Sequence, residues 1–258
     1  MDDINENLLL AVQARDPEMV LVNLEKGADP NATFDVGDDV LGDAVIEHQT
    51  DIVQMLLRAG ARPNVRRRDG TSPLYWAAQS GRIELVELLL KAGASVMAEP
   101  KHESTSIHIA AEMGFLDVLQ RLLDADGKAA INRFDYISRT PLSCAIQARQ
   151  FATVQLLISA AADVNAYDEE KIGNTALHYA AQEGDFEAVE LLLKAGADPS
   201  IPGWMGITPI GKAEGRDDEN GRRILALLKE SATRRPRFPD TRKSRTRPLV
   251  QANRRNRE

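Results

Sequence analysis

The sequence contains a single cysteine, Cys144, among its 258 residues. An internal disulfide is therefore excluded, and a cytoplasmic location is the simplest expectation, with the nucleus as a second location if the cell has one. No stretch of about 18 consecutive apolar residues occurs, so the sequence predicts no transmembrane segment. The acidic start MDDINENLLL also lacks the basic-then-apolar order of a signal peptide.

Histidine is equally scarce, with four residues: His48, His102, His108 and His178. None of them has a metal-ligand or catalytic spacing to Cys144 or to a pair of carboxylates. The sequence also contains no phosphate-binding loop and no nucleophile elbow. We therefore expect no catalytic residue, no metal site and no cofactor, and we predict that the protein is not an enzyme.

Aromatic residues make up only 5% of a chain that is 43% hydrophobic, so leucine, valine and alanine must fill most of the core.

The chain contains a repeated unit of about 33 residues, marked by an alanine that recurs at steps of 33, 33, 33, 35, 35 and 33. A fixed period of this length is typical of a stacked repeat array. The marking residues are Ala11, Ala44, Ala77, Ala110, Ala145, Ala180 and Ala213.

The clearest copy of the unit, residues 69–98, predicts two short helices. Ser72 can accept hydrogen bonds from the free amides of a first helical turn, and Pro73 has no amide to leave unpaired there. Gly81 is expected to end the first helix and Gly93 the second, each with a left-handed backbone. A helix pair this short cannot bury its apolar faces alone, so neighbouring pairs must stack and share one core.

The motifs of this unit resemble the ankyrin repeat. TSIHIAA at residues 105–111 and TALHYAA at residues 175–181 are similar to the family's T-P-L-H-x-A-A helix start. GADPN at residues 27–31 is similar to its closing G-A-D-x-N. The resemblance covers residues 4 to about 230. It implies two antiparallel helices and a β-hairpin finger in each repeat, and binding to a partner protein without catalysis.

We therefore predict an all-α repeat solenoid, an ankyrin-like stack of about seven helix-turn-helix units with β-hairpin fingers. The array is expected to span residues 1–230. A basic tail, which we expect to be disordered because it has almost no apolar content, spans residues 231–258. The expected units lie near residues 4–36, 37–69, 70–102, 103–137, 138–172, 173–205 and 206–230.

Five residues stand where the repeat would have a glycine with a left-handed backbone, at a cost on the order of 1 kcal/mol each. Three lie between the two helices of a unit and two follow the second helix. We expect the second and fifth units to be locally weaker or distorted for this reason. The five residues are Arg15, His48, Arg149, Asp126 and Ala161.

Several polar side chains are expected to hold the repeats together rather than to bind a ligand. In ankyrin-like repeats the motif histidine, here His108 and His178, braces the finger through hydrogen bonds. Cys144 is expected to pack inside a helix, because reactive thiols need electropositive and partly open sites. Trp76 is expected to be half-buried. Short amides that suit turns close four of the units: Asn31, Asn64, Asn132 and Asn165.

The resemblance implies that the fingertips and the exposed inner-helix residues line one concave face that binds the partner. Apolar fingertip residues stand out, because exposed aromatic side chains are typical of binding hot spots. Two interpretations stay open for Trp204, a partner contact or a cap on the end of the stack. The candidate partner-binding residues are Arg68, Asp69, Thr71, His102, Glu112, Met113, Tyr136, Ile137, Arg139, Lys171, Ile172, Trp204, Met205 and Ile207.

Two basic segments contrast with an acidic body. Residues 229–258 carry a formal charge of +8 and residues 1–228 carry −15. The tail could contact nucleic acid or an anionic membrane through charge alone, fold back over the array, or serve as a solubilising terminus. Arg66, Arg67 and Arg68 form either a solvated fingertip or a clamp for a carboxylate or phosphate.

These observations favour a non-enzymatic module for protein–protein interaction, whose acidic body suits a basic or neutral partner surface. Two alternatives stay open. The array could be a rigid holder for a tail that binds nucleic acid or an anionic membrane. It could also be an antitoxin-like inhibitor that neutralises a basic partner protein.

Overall fold

The computed structural model describes residues 3–34, 39–97, 104–168, 171 and 173–234. These residues contain fourteen α-helices in seven consecutive pairs. The pairs are α1 (Ile4–Gln13) with α2 (Pro17–Glu25), α3 (Val40–Ile46) with α4 (Thr50–Arg58), α5 (Pro73–Gln79) with α6 (Ile83–Lys91), α7 (Ser106–Met113) with α8 (Leu116–Asp124), α9 (Pro141–Gln147) with α10 (Phe151–Ser159), α11 (Ala176–Glu183) with α12 (Phe186–Lys194), and α13 (Pro209–Glu214) with α14 (Glu219–Arg234).

The helix pairs stack in sequence order into two rows. The odd-numbered helices form an inner row in which each packs against the next, and the even-numbered helices form a parallel outer row. Each helix also packs against the other member of its own pair. The predicted all-α solenoid is therefore confirmed.

The inner helices begin where the sequence places a capping residue. The Ser72 hydroxyl accepts a hydrogen bond from the Tyr75 amide at 3.2 Å, and Pro73 occupies the first turn. Thr140 and Thr208 cap α9 and α13 in the same way, each followed by proline. A capping side chain of this kind stabilises a helix by about 1 kcal/mol, so the short inner helices start at fixed positions.

One continuous hydrophobic cluster runs the length of the stack. Leu74 and Leu177 of the inner row and Leu89 and Leu192 of the outer row are all fully buried. The marking alanines are buried as well, which lets neighbouring inner helices approach closely. The predicted shared core is confirmed.

The turns between helices carry the predicted backbone strain. Arg15, His48 and Arg149 have φ values of 56°, 58° and 56°, and Asp126 and Ala161 have 82° and 66°. All five lie in the left-handed region, which side chains other than glycine's adopt at a steric cost. The repeat register therefore predicted all five strained positions correctly.

The asparagine that recurs near the end of four units bonds to the unit that follows it. Asn31 donates from Nδ2 to the carbonyl of Gly60 at 3.0 Å and accepts from the Arg62 amide at 2.8 Å. Asn64 and Asn165 repeat both bonds one and four units further on, and Asn132 accepts from the Asp163 amide. These amides join successive loops, so the expected structural role is confirmed.

The fingers differ from the predicted β-hairpins. Within the described residues no β-strand forms, and the sole bridge pairs Thr33 with Asp39. We number each finger by the helix pair that follows it. Fingers 3 (residues 67–71), 5 (135–139) and 7 (203–207) are five-residue turns in which the amide of the first residue donates to the carbonyl of the last, at 3.0, 2.9 and 2.8 Å respectively. The carbonyl of that first residue also accepts from the amide of the fourth residue, at 3.0, 3.0 and 2.9 Å. These bonds close a tight turn without a strand ladder, so these three fingers are turns rather than β-hairpins.

The last helix is longer than the other outer helices, with 16 residues against nine. It includes residues 231–234, which the sequence analysis assigned to the tail. The rest of the tail, residues 235–258, lies outside the described residues, and its expected disorder stays a prediction. No helix within the described ranges has the length and apolar character needed to cross a membrane.

Replacing Ala161 with glycine should raise the free energy of unfolding by up to about 1 kcal/mol, because glycine tolerates a positive φ that alanine does not. Urea denaturation should show a higher midpoint with an unchanged slope. Ala160→Gly is the matched control: Ala160 has φ −80°, so the same change there should lower the midpoint. A lower midpoint for Ala161→Gly would mean that position 161 carries no strain.

Candidate functional site

Finger 5 is held in shape by buried polar side chains. The Asp135 side chain is fully buried, and its Oδ1 accepts from the amides of Ile137 at 3.0 Å and Arg139 at 2.8 Å. The carboxylate therefore occupies the inside of the turn. Tyr136 and Ile137 are displayed on the outside, with 61% and 37% of their surfaces exposed.

Arg139 supports the finger from below. Its Nε and Nη2 both lie 2.9 Å from Oδ2 of Asp135, and Nη1 donates to Gln147 at 3.2 Å. Glu112, at the end of α7, lies 3.8 Å from the same guanidinium. The structure thus brings Arg139 and Glu112 together, but Arg139 uses its donors within the chain.

Ser138 occupies the position of the left-handed glycine in other fingers, with φ 64° against 84° at Gly70 and 65° at Gly173. Its hydroxyl donates to Oδ2 of Asp168 at 2.8 Å, and both side chains are buried. The positive φ of Ser138 has a steric cost, but it comes with a hydrogen bond that fixes finger 5 to the next loop. Ser138 was not among the predicted site residues, although it stands at the glycine position of the repeat.

Finger 7 exposes the largest apolar side chains of the array. Trp204, Met205 and Ile207 are 56%, 77% and 37% exposed. Met205 has φ 59° and is followed by Gly206 at φ 75°, so two consecutive residues are left-handed. Among the residues that the structure describes, Met205 is therefore the most exposed large hydrophobic residue and also has a strained backbone.

The base of finger 7 is packed against α11. The Trp204 amide donates to Oδ1 of Asn174 at 3.3 Å. A Cβ atom at Gly203 would lie 2.6 Å from Nε2 of His178, so only glycine fits there. Finger 7 is therefore tied to the loop before α11, which is in turn tied to finger 5 through Asp168.

Finger 3 is held by its own polar side chains. Asp69 accepts from the Thr71 amide at 2.9 Å and from the Thr71 hydroxyl at 2.5 Å. The Thr71 hydroxyl in turn accepts from Nε1 of Trp76 at 2.9 Å, and Trp76 is half-buried as predicted. Asp69 and Thr71 therefore shape the finger, while Arg68 is exposed at its tip.

The remaining predicted site residues fall into two groups. Met113 at the end of α7 and Lys171 in the loop before α11 are exposed. His102 and Ile172 lie outside the described residues, so their predicted roles stay untested. Fingers 5 and 7 are each bonded to the loop before α11, through Ser138–Asp168 and Trp204–Asn174 respectively.

The two motif histidines sit beneath the fingers. Nδ1 of His108 accepts from the Thr105 amide at 3.2 Å, so Nε2 carries the proton and donates to the carbonyls of Arg133 and Arg139 at 3.0 and 3.2 Å. His178 likewise accepts from the Thr175 amide at 3.0 Å and donates to the Ile207 carbonyl at 3.0 Å. The expected bracing role is confirmed.

Burial is the main cause of the shifted pKa values of His108, His178 and Cys144. Burial lowers the pKa of His108 from 6.5 to about 4, against the opposing effect of the Asp135 carboxylate. Burial likewise lowers the pKa of His178 to about 4. The Cys144 side chain is fully buried, and burial raises the pKa of its thiol to about 12, although Arg139 opposes the shift. The thiol therefore stays protonated, in keeping with its expected packing role.

The described residues contain no group of three or more histidine, cysteine, aspartate or glutamate side chains placed to hold a metal ion. The polar groups beneath the fingers instead bond to one another and to the backbone. What the arrangement offers to another molecule is a row of apolar side chains on rigid fingertips.

Comparisons with known proteins agree with this architecture. The family profile described as "Ankyrin repeats (3 copies)" matches residues 8–100 and 107–202. The crystal structure of the ankyrin repeat domain of Bcl-3, described as a unique member of the IkappaB protein family, aligns with a TM-score of 0.72 and 28% identity over 86% of this chain and 97% of that one. The human ASB11 ankyrin repeat domain aligns with a TM-score of 0.72 and 24% identity over 86% and 96%. Among curated proteins, none matches the chain significantly.

His108 and His178 should remain neutral in the folded protein down to about pH 4. A histidine whose pKa is lower in the folded than in the unfolded state stabilises the fold above pH 6.5 and loses that contribution as the pH falls toward 4. Each should account for up to about 3 kcal/mol of acid destabilisation. NMR titration of the imidazole C–H groups measures the pKa directly, and values near 6.5 would contradict the bracing geometry. His108→Gln should remove part of the acid sensitivity.

Proposed function

Because the chain belongs to the ankyrin repeat family, whose repeats are generally modules for protein–protein interaction, we propose that it binds a partner protein through fingers 5 and 7. The anchors are Tyr136 on finger 5 and Trp204 on finger 7. Ile137, Met205 and Ile207 extend the apolar contact around them. The module acts by binding and carries out no chemical reaction.

The exposure of these five side chains is the observation that carries the proposal. Eleven large hydrophobic residues are exposed in the described part of the chain, and five of them fall within the ten residues of fingers 5 and 7. Leaving aromatic and aliphatic surface in water is unfavourable. Clusters of this kind on a rigid support are typical of protein interaction sites, where aromatic side chains contribute most of the binding energy.

Backbone strain at the same fingertips adds a second line of support. Ser138 and Met205 have left-handed backbones in places where glycine would avoid the steric cost. Strained residues cluster at functional sites because the surrounding structure holds them in place. At finger 7, strain and exposure coincide on Met205, which favours a partner contact over a simple end cap.

The fingertips are also preorganised for binding. Finger 5 is fixed by Asp135 and Arg139, and finger 7 by Asn174 and His178. Little conformational freedom is then lost when a partner docks, so a small number of apolar anchors gives useful affinity. We expect Glu112, Met113, Arg68 and Lys171 to contribute further contacts at the edge of the predicted concave face.

The two alternative functions depend on features outside this surface. The tail that would bind nucleic acid or an anionic membrane falls on residues 235–258, beyond the described ranges. Inhibition of a basic partner would use the acidic charge of the body rather than a dedicated motif. Both stay predictions, and the fingertip proposal stands independently of them.

Replacing Tyr136 and Trp204 together with alanine should abolish capture of the partner protein. Each side chain is an exposed aromatic anchor, and removing such an anchor typically costs about 2 kcal/mol or more of binding energy. Affinity capture followed by quantitative mass spectrometry compares the wild type with the double variant. The partner should be depleted at least about tenfold in the variant.

Met19→Ala and Leu21→Ala together form the matched control. Both residues are apolar, 46% exposed and located in α2 of the first helix pair, away from fingers 5 and 7. This control should capture the partner as well as the wild type does. A partner lost equally from both variants, or retained by the fingertip variant, would overturn the proposal.

A further inference from the structure

The five methionines that the structure describes differ in how far water reaches their side chains. Met205, the third residue of finger 7, is 77% exposed. Met19, Met113 and Met97 are less exposed, at 46%, 45% and 39%, and Met55 is half-buried. A small oxidant such as hydrogen peroxide must reach the thioether sulfur in order to oxidise it. Among these five residues, Met205 is therefore the most open to oxidation.

Two other sulfur atoms of the chain are shielded from peroxide. Cys144 is the only cysteine, and the thiolate form of a cysteine is the usual target of peroxide. The Cys144 side chain is fully buried, and burial raises the pKa of its thiol to about 12, so the reactive thiolate does not form. The sulfur of Met97 accepts a hydrogen bond from Nη1 of Arg133 at 3.7 Å, which engages one of its lone pairs.

The bonds that close finger 7 leave Met205 out. The Gly203 amide donates to the Ile207 carbonyl, the Gly206 amide to the Gly203 carbonyl, and the Ile207 amide to the Trp204 carbonyl. None of these three bonds involves Met205. An oxygen atom added to its exposed sulfur can be solvated by water without breaking them, whereas oxidation of a buried methionine would disrupt the core.

The chemical change would fall within the apolar surface of finger 7. Met205 is flanked by Trp204 and Ile207, which are also exposed. Oxidation converts a flexible apolar thioether into a polar, chiral sulfoxide. A partner that packs on this surface would have to remove water from the sulfoxide oxygen without supplying a matched donor, which is unfavourable. Binding would weaken although the array stays folded.

We propose that Met205 is a reversible oxidation site through which hydrogen peroxide releases the partner protein from finger 7. This regulatory role rests on the proposed function of fingers 5 and 7. In the forward step a lone pair of the sulfur attacks one oxygen of hydrogen peroxide, and an S–O bond forms as the O–O bond breaks. The other oxygen leaves as hydroxide and takes up the remaining proton to become water. The sulfur loses two electrons and the peroxide gains them.

The reverse step belongs to the class of thiol-dependent methionine sulfoxide reductases. Two thiols supply two electrons and two protons, and they become a disulfide. The sulfoxide oxygen leaves as water and the thioether of Met205 is restored. The modification is therefore a switch that can be reset, and it needs no residue of this chain other than Met205.

Peptide mapping by mass spectrometry tests whether Met205 is the oxidation site. After limited treatment of the full chain with hydrogen peroxide, the Met205 sulfoxide should form at least about twofold faster than the sulfoxides of Met19, Met97 and Met113. Protein oxidised at Met205 should keep its native circular dichroism spectrum, and sulfoxide reductases with dithiothreitol should reverse the change. Faster oxidation of any of the other three, or loss of the native spectrum, would overturn the proposal.

Affinity capture tests the effect on binding. The purified full chain is treated with hydrogen peroxide, freed of it with catalase and exposed to a lysate desalted to remove reductants. The partner captured by each protein is compared with that captured by its own untreated form. The wild type should lose at least about fivefold on treatment, and Met205→Leu should lose none because leucine has no sulfur to oxidise. Met19→Leu is the matched control and should lose as much as the wild type.

The outcomes separate this proposal from the proposed function. Unchanged capture by the oxidised wild type, or an equal loss from Met205→Leu, would mean that the Met205 sulfoxide does not control binding. Retention of the partner by the Tyr136→Ala, Trp204→Ala variant would contradict the proposed function, and with it the regulatory role. The order of methionine oxidation is measured without a partner, so it would still show whether Met205 is the oxidation site.

Discussion

Burial of alanine and branched apolar side chains between neighbouring helix pairs is the interaction on which every other feature of this chain depends. A single pair of seven- to nine-residue helices is too short to be stable in water. The stack becomes stable because residues such as Ala77 and Leu89 are covered from both sides. Hydrophobic contact holds the helices together, and the hydrogen bonds of the asparagine and histidine side chains then fix the loops and fingers to these helices.

Rigidity at the helices makes unusual fingertips possible. Finger 5 keeps a fully buried carboxylate beneath two exposed apolar residues, and finger 7 keeps two consecutive left-handed residues. Neither arrangement would persist in an isolated loop, because each one is locally unfavourable. The stability of the core offsets the unfavourable free energy of the fingertips, which expose apolar side chains to water where a partner can reach them.

Sequence periodicity was sufficient to predict the solenoid, its shared core and five strained turn residues, because these features follow from counting along a regular repeat. The left-handed backbones of Ser138 and Met205 were not predicted. At Ser138 this conformation is accompanied by a bond from its hydroxyl to Asp168 of the neighbouring loop, which the repeat pattern alone does not reveal. The fingers were expected to be β-hairpins, yet a five-residue turn such as finger 5 has room only for the backbone bonds that close it, and no strand ladder forms.

Hydrogen exchange with and without the captured partner tests the central claim most directly. If the rigid fingertips are the binding surface, peptides covering residues 135–139 and 203–207 should become protected in the complex, while the outer helices α6, α8 and α10 should exchange as they do in the free protein. Protection confined to the outer helices, with both fingertips unchanged, would contradict the account.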